Sequence, residues 1–254
     1  MMEAAMSVQV RSIKEGQPAG ISSSSLPSAD LSCLFSRQAL EKFEPGEAIF
    51  WEGDEATNLF EVADGMLRAL RLLGDGRRII VGFMLPGDLL GVSLKERYLY
   101  TVEAISPAQI RRFPRRRFED EVARHPRLQE QLFSKLRDEM TAAQDQAVLL
   151  SRRSAEEKFA NFLLLMKERG NSEHRAIVDL PMTRLDIANY LGMTIETVSR
   201  TITRLANGGI IAAAGRRSIK VLKMETLRLL AEGDEGEQWM PSLARPGRYA
   251  SANA

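Results

Sequence analysis

The sequence predicts an α+β protein in which short antiparallel strands precede one long helix and a second, mostly helical unit. Turn residues recur at spacings of roughly 9–12 residues between 43 and 113, which is typical of an antiparallel β-roll. Past residue 117 the apolar residues instead recur every three or four positions, as in a helix. A glycine between two short amphipathic segments near residue 192 indicates a helix-turn-helix.

The composition excludes several functional classes. The chain has 254 residues and a formal net charge of +1, but residues 152–224 hold 13 Lys/Arg against 7 Asp/Glu, which points to a local polyanion-binding module. A single cysteine, Cys33, excludes an intrachain disulfide and any all-cysteine metal site. With only His125 and His174 besides, the sequence assembles neither a metal site nor a nucleophile–base pair, and we expect no enzyme.

The chain also lacks the patterns of export and membrane insertion. Its longest apolar runs, such as FLLLM at 162–166, are far too short to cross a bilayer. The first residues have no apolar signal-peptide core, and we expect a cytoplasmic protein with no membrane partner. The predicted units are a mobile tail at 1–29, a roll at 30–118, a dimerisation helix at 119–151, a helix-turn-helix unit at 152–224 and a tail at 225–254.

Within the roll, the segments AIFW, LFEV, MLRALRLL, RIIVGFML and YTVEAI are the expected strands, and GDG at 74–76 is the expected hairpin turn. The run RRFPRRR at 111–117 is interpreted as a solvated end of the roll, although a patch for an acidic partner is the alternative. Cys33 has only Arg37 as a basic neighbour and is interpreted as an inert thiol, with a redox switch as the alternative.

The long helix carries an apolar seam with steps of three and four residues. Its narrow, near-heptad spacing favours pairing with a second copy of the chain, while packing against its own roll is the alternative. The expected dimer residues are Leu128, Leu132, Leu136, Met140, Ala143, Ala147 and Leu150.

The second unit opens with the local signals of a helix-turn-helix. Thr183 and Asp186 form a capping-box pattern before the segment DIANYL, and Gly192 permits the sharp turn that follows. The small residue Ala188 allows the two helices to cross closely, and Val198 anchors the second helix inside. The sequence IIAAAGRRSIKVL then predicts a hairpin, or wing, beside the helices.

Glu196, Ser199 and Arg200 lie at i, i+3 and i+4 and therefore share one face of the second helix. Arginine can donate two bonds to guanine O6 and N7, and glutamate can accept from a cytosine or adenine amino group. We therefore predict that these three residues contact DNA bases. A surface ion pair between Glu196 and Arg200 is the alternative, and both interpretations can hold together.

Other polar residues of this unit are expected to contact the DNA backbone, which positions a protein without reading sequence. For the two arginines of the hairpin tip, a solvated turn is the alternative. The expected backbone contacts are Thr183, Arg184, Thr194, Thr197, Arg204, Arg216 and Arg217.

These residues resemble the Crp/Fnr transcription regulators over roughly residues 30–225, in the order of roll, dimerisation helix and winged helix-turn-helix. The motif Glu196-Thr-Val-Ser199-Arg200 resembles the Fnr and FixK branches, whereas the cyclic-AMP receptor branch has an arginine where this chain has Ile195. The resemblance implies a homodimeric activator, a TTGA-type palindromic operator in double-stranded DNA, RNA polymerase as a partner, and control of low-oxygen or nitrogen metabolism.

The resemblance also bears on the roll, which looks like the cyclic-nucleotide-binding jelly roll of the family. Gly87-Asp88 stands where nucleotide-binding members have Gly-Glu, but their Arg-Ser or Arg-Thr pair falls near Tyr98-Leu99, with Arg97 close by. One cysteine cannot hold the cluster of Fnr, so no cofactor is expected. The alternative function is a ligand-responsive signalling module whose winged unit binds protein.

Overall fold

A computed structural model of the chain describes residues 30–92, 95–152, 154–170 and 176–233. The predicted tail at 1–29 and residues 234–254 of the second tail lie outside them. Within these ranges the strands are β1 Leu40–Phe43, β2 Ala48–Phe50, β3 Asn58–Asp64, β4 Leu67–Leu72, β5 Arg78–Met84, β6 Leu89–Leu90, β7 Thr101–Ala104, β8 Ala108–Pro114, β9 Ile177–Asp179, β10 Ile211–Ala213 and β11 Ser218–Val221. The helices are α1 Leu31–Ser36, α2 Arg115–Arg124, α3 Pro126–Ser151, α4 Ala155–Arg169, α5 Arg184–Leu191, α6 Ile195–Asn207 and α7 Met224–Glu232.

Strands β1 to β8 form the predicted antiparallel roll from two four-stranded sheets, with strand orders β1-β8-β3-β6 and β2-β7-β4-β5. Apolar side chains from both sheets, among them Phe50 and Ile110, form one buried cluster between them. The predicted GDG turn closes the β4–β5 hairpin, in which Leu72 pairs with Arg78. Gly76 has φ +83°, a left-handed conformation that glycine adopts without strain.

The segment RRFPRRR spans the end of β8 and the start of α2, and its strand was missed because arginines conceal the alternation of buried residues. Arg111 donates to the carboxylate of Glu61 at 2.8 Å, and Arg112 donates to that of Glu41 at 2.8 Å. These two arginines therefore bind carboxylates of neighbouring strands in the same sheet.

The first turns of α3 pack inside the chain, which corrects part of the predicted dimer seam. Leu128 is completely buried in a cluster with Phe35 and Phe113 of the roll, and Leu132 packs against the same cluster. The prediction that Leu128 lies at a dimer interface is therefore wrong. The cause is that α2 and α1 both contact α3, so its first turns lie on the roll.

Further along α3, an apolar stripe faces outward. Its members follow one another at steps of 3, 4, 3, 4 and 3 residues, the heptad spacing of a coiled-coil seam. Within the described chain Phe133 is 64% exposed, Met140 58% and Leu150 42%. We call this the α3 stripe; it consists of Phe133, Leu136, Met140, Ala143, Ala147 and Leu150.

The second unit contains α4 to α7 and a three-stranded sheet of order β10-β11-β9. The prediction of a tail at 225–254 is wrong for its first residues, because they belong to helix α7, which packs against the rest of the unit. Leu227 and Ala231, four residues apart, are buried against α4, and Asn161 Nδ2 donates to the carbonyl of Ala231 at 2.7 Å. The four-residue spacing of these apolar residues is the signal that sequence reasoning overlooked.

The roll and the second unit share one hydrophobic core. Phe83 of β5 lies with its ring centroid 5.2 Å from that of Tyr190 in α5 and 6.1 Å from that of Phe162 in α4. Arg68 of β4 crosses the same interface, donating to Glu103 at 2.6 Å and to Asp186 at 2.8 Å. The second unit is therefore fixed against the β4–β5 face of its own roll.

Among the helices that the structure describes, none combines the length and apolar character that a membrane span requires.

Candidate nucleic-acid interface

Helix α5 begins at the predicted capping box. The hydroxyl of Thr183 accepts from the backbone N–H of Asp186 at 3.1 Å, and the Asp186 carboxylate accepts from the backbone N–H of Thr183 at 2.9 Å. Two otherwise unpaired backbone donors are thereby satisfied. Because Asp186 also accepts from Arg68, the roll holds the first turn of α5 directly.

The turn between α5 and α6 depends on Gly192. Its φ is +61°, which residues with a Cβ adopt only with strain, and an added Cβ would lie 3.2 Å from Leu150 Cδ2 of α3. Ala188, 1% exposed, leaves the space that the crossing of the two helices requires. The side chain of Gln146 in α3 donates to the carbonyl of Tyr190 at 2.7 Å, so the end of α3 supports this turn.

Helix α6 buries one face and presents the other. Its cap is Thr194, whose hydroxyl accepts from the backbone N–H of Thr197 at 3.2 Å. Val198 and Leu205 are buried in the shared core. The predicted reading face points outward: Glu196 and Arg200 are exposed and Ser199 is half-buried.

The charges of the reading face favour acceptor and donor roles. The pKa of Glu196 is lowered by the hydrogen bond from its own backbone N–H, then by that from Thr194 and by the nearby charge of Arg200. Glu196 is therefore ionised at neutral pH and can accept from a base amino group. In the described part of the chain, no carboxylate lies within ion-pair distance of Arg200, so its guanidinium is available for a base edge.

Two further arginines bind polar groups of this chain rather than standing free. Arg184 of α5 donates from Nη1 to the Ser199 hydroxyl at 3.0 Å, which ties the first helix to the reading face. Arg204 of α6 donates to the carboxylate of Glu156 in α4. Sequence reasoning missed both contacts, because the partners lie 15 and 48 residues apart.

The wing is present as predicted, a β10–β11 hairpin in which Ile211 pairs with Val221. Arg216 and Arg217 lie at its exposed tip, and the carbonyl of Arg217 accepts from the backbone N–H of Leu180 at 2.7 Å. The capped helix pair, its glycine turn and a basic hairpin beside them define the class of winged helix-turn-helix DNA-binding proteins.

Comparisons with known proteins agree with this class. Residues 157–230 match the family model of the Crp-like helix-turn-helix domain, and residues 40–125 match that of the cyclic nucleotide-binding domain. The nitrogen fixation regulation protein FixK of Bradyrhizobium diazoefficiens is 45% identical over 175 residues, covering 67% of this chain and 73% of FixK. The transcriptional activator protein FnrL of Cereibacter sphaeroides is 32% identical over 221 residues, covering 84% of this chain and 88% of FnrL.

Among solved structures, FixK2 from Bradyrhizobium japonicum superposes with a TM-score of 0.71 at 33% identity, covering 75% of this chain and 96% of FixK2. The chain belongs to the Crp/Fnr family and is a FixK-like, DNA-binding transcription regulator. Its relatives are regulators rather than enzymes.

The roll matches the family model of the cyclic nucleotide-binding domain, but its described residues do not fit a cyclic nucleotide. Phe50 and Tyr98 stack in the roll interior with ring centroids 4.0 Å apart. Asp88, where nucleotide-binding members have glutamate, accepts from Arg169 of α4. Arg97 donates from Nη1 to the backbone carbonyl of Gly53 at 2.6 Å. The Asp88 carboxylate and the Arg97 guanidinium, the two charged groups near the expected nucleotide positions, therefore each have a protein partner.

Proposed function

We propose that the chain is a homodimeric activator that reads a TTGA-type palindrome through Glu196, Ser199 and Arg200. The outward, ionised reading face of α6 carries this proposal, because it offers a carboxylate acceptor and a free guanidinium at adjacent turns of one helix. The nitrogen fixation regulation protein FixK supports the proposed connection with nitrogen metabolism, and the transcriptional activator protein FnrL supports the activator role. Low-oxygen control is the other proposed role.

The α3 stripe supports the dimer. Apolar side chains with heptad spacing are typically buried against a partner helix, and the α3 of a second copy has the matching surface. The stripe ends at Leu150, beside the glycine turn of the helix-turn-helix, so a symmetric pair would hold two α6 helices in fixed positions. Two recognition helices about 34–36 Å apart enter successive major grooves, which implies a palindromic operator.

Backbone contacts complete the proposed interface. Thr183, Thr194 and Thr197 lie at the N-terminal ends of α5 and α6, where backbone N–H groups also favour phosphate. Arg184, Arg216 and Arg217 add positive charge around the reading face, and Arg184 also donates to Ser199. Arg204 is the remaining proposed backbone contact, and phosphate would have to compete with Glu156 for its guanidinium. RNA polymerase is a further proposed partner, and the proposed location of the protein is the cytoplasm.

A gel-shift series tests the proposal. A duplex containing TTGAT-N4-ATCAA is compared with one in which the guanines of both half-sites and their paired cytosines are replaced, at two salt concentrations. We expect the first duplex to bind more tightly at both. Equal affinity for the two duplexes contradicts base readout, and a steep salt dependence without discrimination leaves only phosphate binding.

A further inference from the structure

The contact between α4 and α6 places a carboxylate against the DNA-facing surface. Arg204 lies one turn beyond Arg200 and lines the same surface concavity as Ser199, Thr203 and Asn207. Its side chain is 70% exposed, yet its guanidinium is bound to Glu156, whose side chain is only 19% exposed. The more buried Glu156 thus fixes the position of the more exposed Arg204.

The position of Glu156 in α4 favours its negative charge. The helix is capped by Ser154, whose hydroxyl accepts from the backbone N–H of Glu157 at 3.0 Å, and Glu156 lies in its first turn. The unpaired N–H groups of a helix N-terminus stabilise an anion there. The first turn of α4 therefore favours the carboxylate form of Glu156 at the edge of the α6 surface.

We propose that Glu156 competes with DNA phosphate for Arg204 and so lowers the affinity of the protein for DNA of any sequence. A guanidinium already neutralised by a carboxylate does not displace a condensed cation from a DNA phosphate, and the carboxylate repels that phosphate. Arg200, which has no such partner in the described chain, keeps its base contact. Glu156 thus reduces the sequence-independent part of binding and leaves the discrimination between sequences intact. This inference rests on the proposed DNA-binding function.

The test is a double-mutant cycle measured as the dependence of log affinity on log salt for the operator and guanine-replaced duplexes. Glu156→Gln removes the charge and is expected to steepen the slope by about 0.9 per subunit on both duplexes. For a dimer, the affinity gain of the variant should then grow by roughly tenfold when salt is diluted fourfold. The ratio of the two affinities should not change.

Arg204→Ala distinguishes this inference from an ordinary phosphate contact. In the Glu156→Gln background it should abolish the gain. In the wild-type background we expect a smaller change of slope, which comes from the Glu156 carboxylate that the variant leaves unpaired. If Arg204→Ala flattens the slope equally in the two backgrounds, Glu156 and Arg204 act independently and the inference is overturned. No change of slope in either Glu156→Gln or Glu156→Ala also overturns it.

Glu225→Gln is the matched control for net charge. It removes one carboxylate from the same unit, and Glu225 likewise binds an arginine, Arg228, at 2.7 Å on α7. An equal gain from this variant assigns the effect to overall charge and contradicts a specific role for Glu156. Thermal unfolding of each variant verifies that α4 is intact.

The same data separate the two proposals. If the wild type fails to discriminate between the duplexes while Glu156→Gln still steepens both slopes, the base-reading proposal fails and the competition for Arg204 stands. If the wild type binds neither duplex, both are contradicted.

Discussion

At the scale of single residues, the reading face combines an ionised carboxylate, a hydroxyl and a guanidinium. These groups differ in whether they already bind another residue of the chain. Ser199 is held by Arg184, so its hydroxyl accepts one bond before any DNA arrives. Arg200 has no carboxylate partner among the described residues and can turn toward a base. We therefore expect the guanidinium to carry most of the sequence discrimination.

Arg200→Ala should reduce specific binding by roughly 1–3 kcal/mol per half-site and relax the preference for guanine. Arg216→Ala at the wing tip is the comparison: it should weaken all sequences alike and flatten the salt dependence. Gel shifts on the two duplexes measure both. If the two variants behave identically, the assignment of base readout to Arg200 and phosphate contact to Arg216 is wrong.

Gly192→Ala should lower the unfolding free energy by about 1–2 kcal/mol, because alanine at φ +61° is strained. The new methyl group would also press on Leu150 Cδ2. Gly74→Ala is the control, since its Cβ would meet nothing within 4 Å and it has no positive φ. Urea unfolding monitored by circular dichroism compares them, and equal losses would contradict the strain argument.

Much of the site was predictable at this scale because its signals are local. The pairing of Thr183 with Asp186 and the turn at Gly192 require only neighbours within a few residues. The partners of Arg184 and Arg204 were not predictable, because they depend on how α5 and α4 cross α6. Polar side-chain contacts between two helices leave no spacing signal in a sequence.

At the scale of elements, the first turns of α3 pack on the roll, whereas its later turns present an exposed apolar stripe. Its first turns belong to the roll through Leu128, and its outer stripe begins only at Phe133. The apolar period continues through both parts, so the sequence alone could not show where one surface ends and the other begins. Strand β8 was missed for a different reason: Arg111 and Arg112 follow one another and interrupt the alternation of apolar and polar residues.

Met140→Glu should convert the proposed dimer to a monomer, because it places a charge in the middle of the α3 stripe. Lys135→Glu, which changes an exposed residue outside the stripe, should leave the dimer intact. Light scattering after size-exclusion chromatography gives the mass of each variant. A Met140→Glu protein that stays dimeric would exclude the stripe as the interface.

At the scale of the whole molecule, polar contacts reinforce the shared core at its edges. Arg68 joins Glu103 of the roll to Asp186 of the helix-turn-helix, and Arg169 of α4 donates to the carbonyl of Phe83 at 2.8 Å. Both carboxylates of the Arg68 cluster are nearly buried, with side-chain exposures of 7% and 8%. The orientation of α6 is thus set partly by a residue of the roll.

Arg68→Met should destabilise the protein by about 3 kcal/mol, since it leaves two nearly buried carboxylates without this cation. Arg71→Met is the matched control on the same strand: its pair with Glu52 is more exposed, and its loss should cost about 0–1 kcal/mol. Urea titrations of both proteins give the difference. Similar costs for the two variants would show that the crossing ion pairs contribute little.

The shared core also limits how the protein can be dissected. A fragment ending near residue 151 would lose the aromatic rings of Phe162 and Tyr190 that cover Phe83, and a fragment beginning there would leave those two rings bare. Either fragment would expose a hydrophobic patch and would aggregate through it. Footprinting and crystallisation with operator duplexes therefore call for a protein in which both halves remain joined.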